Sequence, residues 1–161
     1  GMDVFDARLY EEPGMQLLRK AGTYTLTVGS DRVPATGSYH LQLFNVPPPH
    51  QFAIKIGDTI KENMPGPGAG NIESPGAKDV YTFSAAPGQT VYFRKLGHDS
   101  GMEQISLWLA DADGTEVFDS RLYEEPGAKV LRKGGTYTLT VGSDRVPATG
   151  TYRLQLSSVG G

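Results

Sequence analysis

The chain has 161 residues and no cysteine, which excludes a disulfide framework and thiol chemistry but leaves the compartment open, since many exported bacterial proteins avoid cysteine. No apolar run approaches the roughly 18 residues of a membrane span, and no charged start leads into an apolar core. Neither a membrane span nor a signal peptide is therefore expected within these residues, and an export signal would lie outside them. No basic run stands out either: 15 Lys and Arg are mixed with 18 Asp and Glu for a net charge of −3. Nothing here is built to neutralise a phosphate backbone, which excludes nucleic acid as an expected partner. Histidine is scarce, at three. His40 falls on a polar strand face, His50 in a proline-rich linker and His98 in a glycine-rich turn. All three read as solvated, because general-base work needs a nucleophile and an orienting group within hydrogen-bond reach. There is no Gly-x-Ser-x-Gly elbow, no paired metal histidines and no phosphate-cradling glycine loop. Catalytic residues are not expected.

What the sequence does have is a repeat. Residues 3–46 return at 116–159 with an offset of 113 and ten mismatches in 44 pairs, whereas 47–115 occurs once. The expected organisation is a complete unit at 47–159 preceded, at 1–46, by the second half of a preceding repeat. A lone segment of that size sits near the limit of about 40 residues below which chains need disulfides, metals or partners to fold. Repeated modules of this kind bind, space or tether more often than they carry out chemistry.

Glycine (21) and proline (11) punctuate short runs of alternating apolar and polar residues, the pattern of half-buried strands in an all-β sandwich or barrel. The clearest runs are Val80–Ser84, Thr90–Arg94, Thr136–Val141 and Thr151–Leu156. Alternation places Tyr81, Phe83, Val91, Phe93, Tyr137, Leu139, Val141, Tyr152, Leu154 and Leu156 in the core, with Arg153 and Gln155 outward. Asp111-Ala-Asp-Gly114 reads as a turn joining antiparallel strands at Ile105–Leu109 and Val117-Phe118. Three prolines in Val46–His50 predict a stiff, extended linker. Asn63–Asn71 is too rich in Gly and Pro for a strand or helix, and Tyr123–Lys133 has room for a helical turn.

Two clusters are candidate sites. Asp111, Asp113 and Glu116, with Glu73, Asp79 and Asp119 as further oxygens, suit a hard cation such as calcium. A hairpin turn accounts for the same Asp and Gly residues without metal, and Leu122 stands where an EF-type loop would carry its bidentate Glu. Trp108, the only tryptophan, lies on the face of its strand opposite Ile105, Leu107 and Leu109. If that face is the outer one, Trp108, Tyr92, Arg94 and Gln104 would share a surface on which rings stack against a sugar or peptide. The alternative is that a loop such as Tyr123–Lys133 covers it. Each copy also carries an acidic pair, Glu11-Glu12 and Glu124-Glu125, and a basic pair, Arg19-Lys20 and Arg132-Lys133. These pair either across their own loop or between neighbouring repeats.

Glu73–Phe93, Leu107–Gly114, Gly135–Val141 and Gly150–Leu156, taken in this order, resemble the bacterial pre-peptidase C-terminal domain family. The resemblance covers about 70–159, and 3–46 matches its second half. It implies a jelly-roll-like antiparallel β-sandwich appended to secreted or surface proteins, often hydrolases, and not itself catalytic. Relatives include collagen-binding modules that hold calcium partly through an acidic segment ahead of the first strand. Pro47–Ile72 here offers Asp58 and Glu62 but no acidic cluster.

The expectation is a non-catalytic extracellular module of a repeat-containing bacterial secreted or surface protein, acting in adhesion, substrate targeting or spacing. The alternative is a carbohydrate- or protein-binding module centred on Trp108; an enzyme is the third class. No cofactor is expected beyond calcium as a candidate, and the partner would be a protein, a polysaccharide or a second copy. With two copies of one half facing a single other half, 3–46 is expected to pack against the complete domain, to pair with its equivalent in a homodimer, or to exchange with 116–159.

Overall fold

The structure, a computed structural model, describes residues 1–159. Ten strands form two facing sheets: β1 (His50–Ala53), β2 (Thr59–Ile60), β3 (Asn71–Ile72), β4 (Lys78–Ala85), β5 (Gln89–His98), β6 (Ser106–Ala110), β7 (Glu116–Arg121), β8 (Gly127–Leu131), β9 (Gly135–Gly142) and β10 (Gly150–Ser158). One sheet has the order β1-β4-β9-β6-β7, the other β2-β10-β5-β8, and β3 also pairs with β10. Every pairing is antiparallel except β1 with β4. This is a jelly-roll-like β-sandwich with no helix among the described residues, as the alternation of short runs with glycine and proline predicts.

The period of two sets the core. Tyr81 and Phe83 of β4 and Tyr137, Leu139 and Val141 of β9 face Val91 and Phe93 of β5 and Tyr152, Leu154 and Leu156 of β10 across the interior. Phe83 stacks on Tyr137 at 5.7 Å between ring centroids, and Phe93 meets the edge of Phe118 at 5.1 Å. The alternation slips once in β5, where the register with β10 shifts between Arg153 and Leu154 and leaves Leu96 unopposed and exposed. The Asp111–Gly114 turn joins β6 to β7, closed by Asp111 N–H on the Thr115 carbonyl at 2.9 Å. Tyr123–Lys133 holds no helical turn; Gly127–Leu131 is strand β8, paired with Gln89–Phe93 of β5. Pro126-Gly127 marks the start of an edge strand, which needs no donor to a second neighbour on that side.

Residues 1–49 contain no strand. Leu26 is 54% exposed and Tyr24 43%, although Leu139 and Tyr137, their counterparts in the second copy, are buried at 0% and 1%. The pairing explains the difference. Each of β7, β8, β9 and β10 finds its partners only among β1 to β6: β7 on β6, β8 on β5, β9 on β4 and β6, and β10 on β2, β3 and β5. In this topology the repeated segment makes no ladder within itself, and the single 47–115 half is already occupied by 116–159.

Its turns need no such partner. Glu11 and Glu124 accept the N–H of Arg8 and Arg121 at 2.7 and 2.9 Å. Ser30 and Ser143 accept the N–H groups of Val33 and Val146, each at 3.0 Å. The Tyr24 and Tyr137 hydroxyls donate to the Lys20 and Lys133 carbonyls at 2.5 and 2.6 Å. Contacts within four residues form in both copies, because Ser and Glu side chains bond nearby backbone without tertiary help. Strands, whose partners are distant in sequence, form in one.

Candidate functional site

Strand β4 begins Lys78-Asp79-Val80-Tyr81, and the alternation that buries Tyr81 and Phe83 buries Asp79 with them, fully excluded from solvent. A carboxylate in such a place is costly unless hydrogen-bonded. Both of its oxygens are served. The Tyr152 hydroxyl, from the opposite sheet, donates to Oδ2 at 2.5 Å, and His50 Nδ1 lies 3.3 Å from Oδ1. Tyr152 Oη also lies 2.7 Å from Tyr81 Oη, which in turn accepts the Gly70 N–H at 2.9 Å.

The direction of this chain follows from counting protons. A phenol has one, and Tyr152 uses its own on the ionised Asp79, so Tyr81 must donate to Tyr152 and accept from Gly70. The order is Gly70 N–H, Tyr81, Tyr152, Asp79, and an ionised Asp79 requires a proton on His50 Nδ1. Gly70, at φ +65°, has Lys61 and Glu62 backbone where a Cβ would stand, so only glycine brings this N–H close enough.

Burial pushes the Asp79 carboxyl up from its ordinary 3.8 to about 6, with the Tyr152 and His50 bonds pulling it back and the nearby Glu73 charge adding to the rise. Burial likewise pushes the Tyr81 and Tyr152 hydroxyls above the usual range, so both remain donors at neutral pH. Glu73 Oε1 lies 3.5 Å from His50 Nδ1. Among the described residues, His50, Glu73 and Asp79 are the group whose ligand atoms come within 4.8 Å of one another. An imidazole and two carboxylates form a donor set that can hold a proton or a divalent ion, with Asp79 at its buried end.

The calcium candidates are arranged otherwise. Asp111 Oδ1 closes its own turn by accepting the N–H groups of Asp113 and Thr115, each at 2.9 Å. The Lys133 ammonium sits 2.6 Å from Asp113 and 3.8 Å from Asp111, where it lowers the Asp113 pKa. Glu116 accepts the Trp108 indole N–H at 2.9 Å, and Asp119 pairs with Arg121 at 3.0 Å. Asp111, Asp113 and Glu116 thus do not converge on one point, and a lysine already supplies the cation at the turn.

Trp108 is half-buried on the outer face of β6, beside Asp119 and Thr140 by register. Tyr92 and Arg94 are on the outer face of β5 in the opposite sheet, and Gln104 lies in the loop between β5 and β6. The expected shared surface of Trp108, Tyr92, Arg94 and Gln104 does not form, because the two strands face away from each other across the sandwich. Tyr92 donates to Glu125 at 2.9 Å, and the other Glu125 oxygen accepts the Lys95 N–H at 3.0 Å. Glu125 and Lys133 therefore bond to other parts of the sandwich and Glu124 to its own turn, not to each other.

The sequence reading missed His50 as a site residue, because β1 begins at the last residue of the proline linker and its partner lies 29 positions on. For Asp79 there was a signal: it is in phase with Tyr81 and Phe83, on the face assigned to the core.

The architecture is that of a β-sandwich with a pre-peptidase C-terminal-like fold. No protein-family model matches the chain, and no curated protein matches it. Among solved structures, the pre-peptidase C-terminal domain of a collagenase from Bacillus anthracis is similar at 20% identity, covering 70% of this chain and 100% of that domain, with a TM-score of 0.50. The periplasmic inhibitors of g-type lysozyme from Salmonella Typhimurium and Aeromonas hydrophila also align. The first has 19% identity, covers 68% of this chain and 98% of its own, and has a TM-score of 0.46. The second has 14% identity, covers 69% and 99%, and has a TM-score of 0.49.

Proposed function

We propose that the chain is a non-catalytic module of the pre-peptidase C-terminal family, from a repeat-bearing secreted or surface protein of a bacterium, where it acts in adhesion, substrate targeting or spacing. The observation that carries this reading is the recurrence of 3–46 at 116–159 without a change at any buried position. Repetition that preserves a core and varies the surface is what a modular array requires. The three prolines of Val46–His50 support it, since a stiff, extended stretch leading into β1 is what a spacer between units would need. So does the surface: the two best-formed depressions among the described residues measure about 10 and 40 Å³, against roughly 300–1,000 Å³ for small-molecule sites. The test is a matrix-protein and glycan array run beside turnover assays on peptides and polysaccharides. Binding without turnover is the expected result; turnover by this chain overturns the reading.

A second reading is a carbohydrate-binding face around Trp108. It is favoured by the ring's place on an outer sheet face beside Asp119, Thr140 and Glu116, polar groups that hydrogen-bond sugar hydroxyls. Trp108 is the sole tryptophan, so its fluorescence reports this face alone. A glycan that binds without shifting that emission, and binds Trp108→Ala equally well, does not use it.

A further inference from the structure

We propose that residues 3–46 are a strand donor for the β1–β6 half of a second copy of this chain, taking there the place of 116–159. The buried residues of the second copy are Phe118, Leu122, Leu131, Tyr137, Leu139, Val141, Gly142, Tyr152, Leu154 and Leu156. Each has an identical counterpart 113 positions earlier, from Phe5 and Leu9 through Tyr39 to Leu43. All ten mismatches between the copies fall at positions that are exposed or half-buried in the sandwich. The donor set is therefore complete, including Tyr39 for the hydroxyl that serves Asp79. It is also partly organised in advance, since the Glu11, Ser30 and Tyr24 turn contacts repeat those of Glu124, Ser143 and Tyr137.

The acceptor must belong to another chain. Val159 bonds Thr90 at one end of the sandwich, whereas His50 lies against Asp79 and hence at the level of Tyr152, the other end of β10. From Tyr152 to Val159 is about 23 Å at roughly 3.3 Å per residue. A docked Val46 would occupy the place of Val159 and have to reach His50 through four residues, which span at most about 14 Å. Docking onto its own β1–β6 half is thus sterically closed, and docking onto a second copy is open at both ends.

The resident strands have two advantages. The short β6–β7 turn tethers 116–159 at high effective concentration. In addition, Ala21 replaces Gly134, where a Cβ would stand 2.9 Å from Pro87 Cδ. Exchange therefore needs refolding at high chain concentration, when 3–46 of one molecule meets a β1–β6 half before it closes.

Because the chain has no cysteine, an engineered pair contains the only thiols. Thr82 of β4 is the register partner of Thr138, whose counterpart is Thr25. A Thr25→Cys/Thr82→Cys chain, refolded under oxidising conditions, is expected to give disulfide-linked dimers whose share rises with chain concentration. A Thr27→Cys/Thr82→Cys chain, two residues out of register, gives the background. Thr82→Cys/Thr138→Cys is the positive control and closes within one chain. Adding Leu26→Asp should return the dimer yield to background while the monomer remains folded, since Leu26 is exposed there. Linked dimers no more abundant than in the Thr27→Cys/Thr82→Cys chain, or unaffected by Leu26→Asp, overturn the proposal.

Discussion

The Tyr152 hydroxyl donates to the buried Asp79 carboxylate at 2.5 Å and so bonds one sheet of the sandwich to the other. Removing it leaves two hydrogen bonds unmade: Asp79 Oδ2 loses its donor and the Tyr81 proton its acceptor, while Tyr81 Oη keeps the Gly70 N–H. Tyr152→Phe is expected to cost about 2–6 kcal/mol, at roughly 1–3 kcal/mol for each buried group left unsatisfied. Tyr39→Phe, the same change at the exposed counterpart, should leave the denaturation midpoint unchanged. Equal effects of the two would mean that Tyr152 contributes only its ring.

Asp79 also gives stability a pH dependence of unusual sign. Its folded pKa of about 6 lies above the ordinary 3.8, so between these values the native chain holds a proton that the unfolded chain has released. Stability should then fall as pH rises from about 4 to about 6, by around 3 kcal/mol, and level off above. Below this window the slope reverses. Asp99, Glu103, Asp113 and Glu125 have lowered pKa values, through backbone bonds or, for Asp113, through Lys133 and, for Glu125, through Tyr92. Their contribution is lost as the carboxylates protonate. Urea midpoints across pH 4–7 for the native chain and Asp79→Asn provide the check: the decline should vanish in the variant, and parallel curves would refute the assignment.

Identical side chains in the two copies should respond differently to truncation. Leu139→Ala opens a cavity between the two sheets, beside Phe93, Leu107, Leu154 and Leu156, and is expected to destabilise by about 2–5 kcal/mol. Leu26→Ala removes an exposed side chain and should stay within about 0.5 kcal/mol. Chemical denaturation of the two variants decides it; a large loss for Leu26→Ala would place 3–46 in a packed core.

What could be read in advance was local or periodic. The alternation in Val80–Ser84, Thr136–Val141 and Thr151–Leu156 determines which side chains turn inward, and the core follows it residue by residue. The Asp111–Gly114 turn has its bonds within four residues. Strand β8 was hidden because Gly127-Ala-Lys-Val-Leu131 is an edge strand with a weak apolar pattern, held by its pairing with β5. The separation of Trp108 from Tyr92 depends on which sheet each strand joins, a matter of topology that no run of residues encodes. The His50, Glu73 and Asp79 cluster is non-local in the same sense, gathered by a parallel pairing of β1 with β4. Most telling is 3–46, where the same alternating pattern as in 116–159 produces no strand. The pattern states which face would be buried, and only a partner buries it.

Hydrogen–deuterium exchange resolved by peptide tests that dependence most directly, because Leu17-Leu-Arg-Lys-Ala21 and Val130-Leu-Arg-Lys-Gly134 distinguish peptides that run on into the identical stretches 22–37 and 135–150. In dilute monomer, amides of 135–142 should exchange slowly through their ladders with β4 and β6, while those of 22–29 exchange at the rate of an open chain. Equal protection of the two stretches in a monomer would contradict the account, since it would mean that the second half of the sandwich pairs without the first.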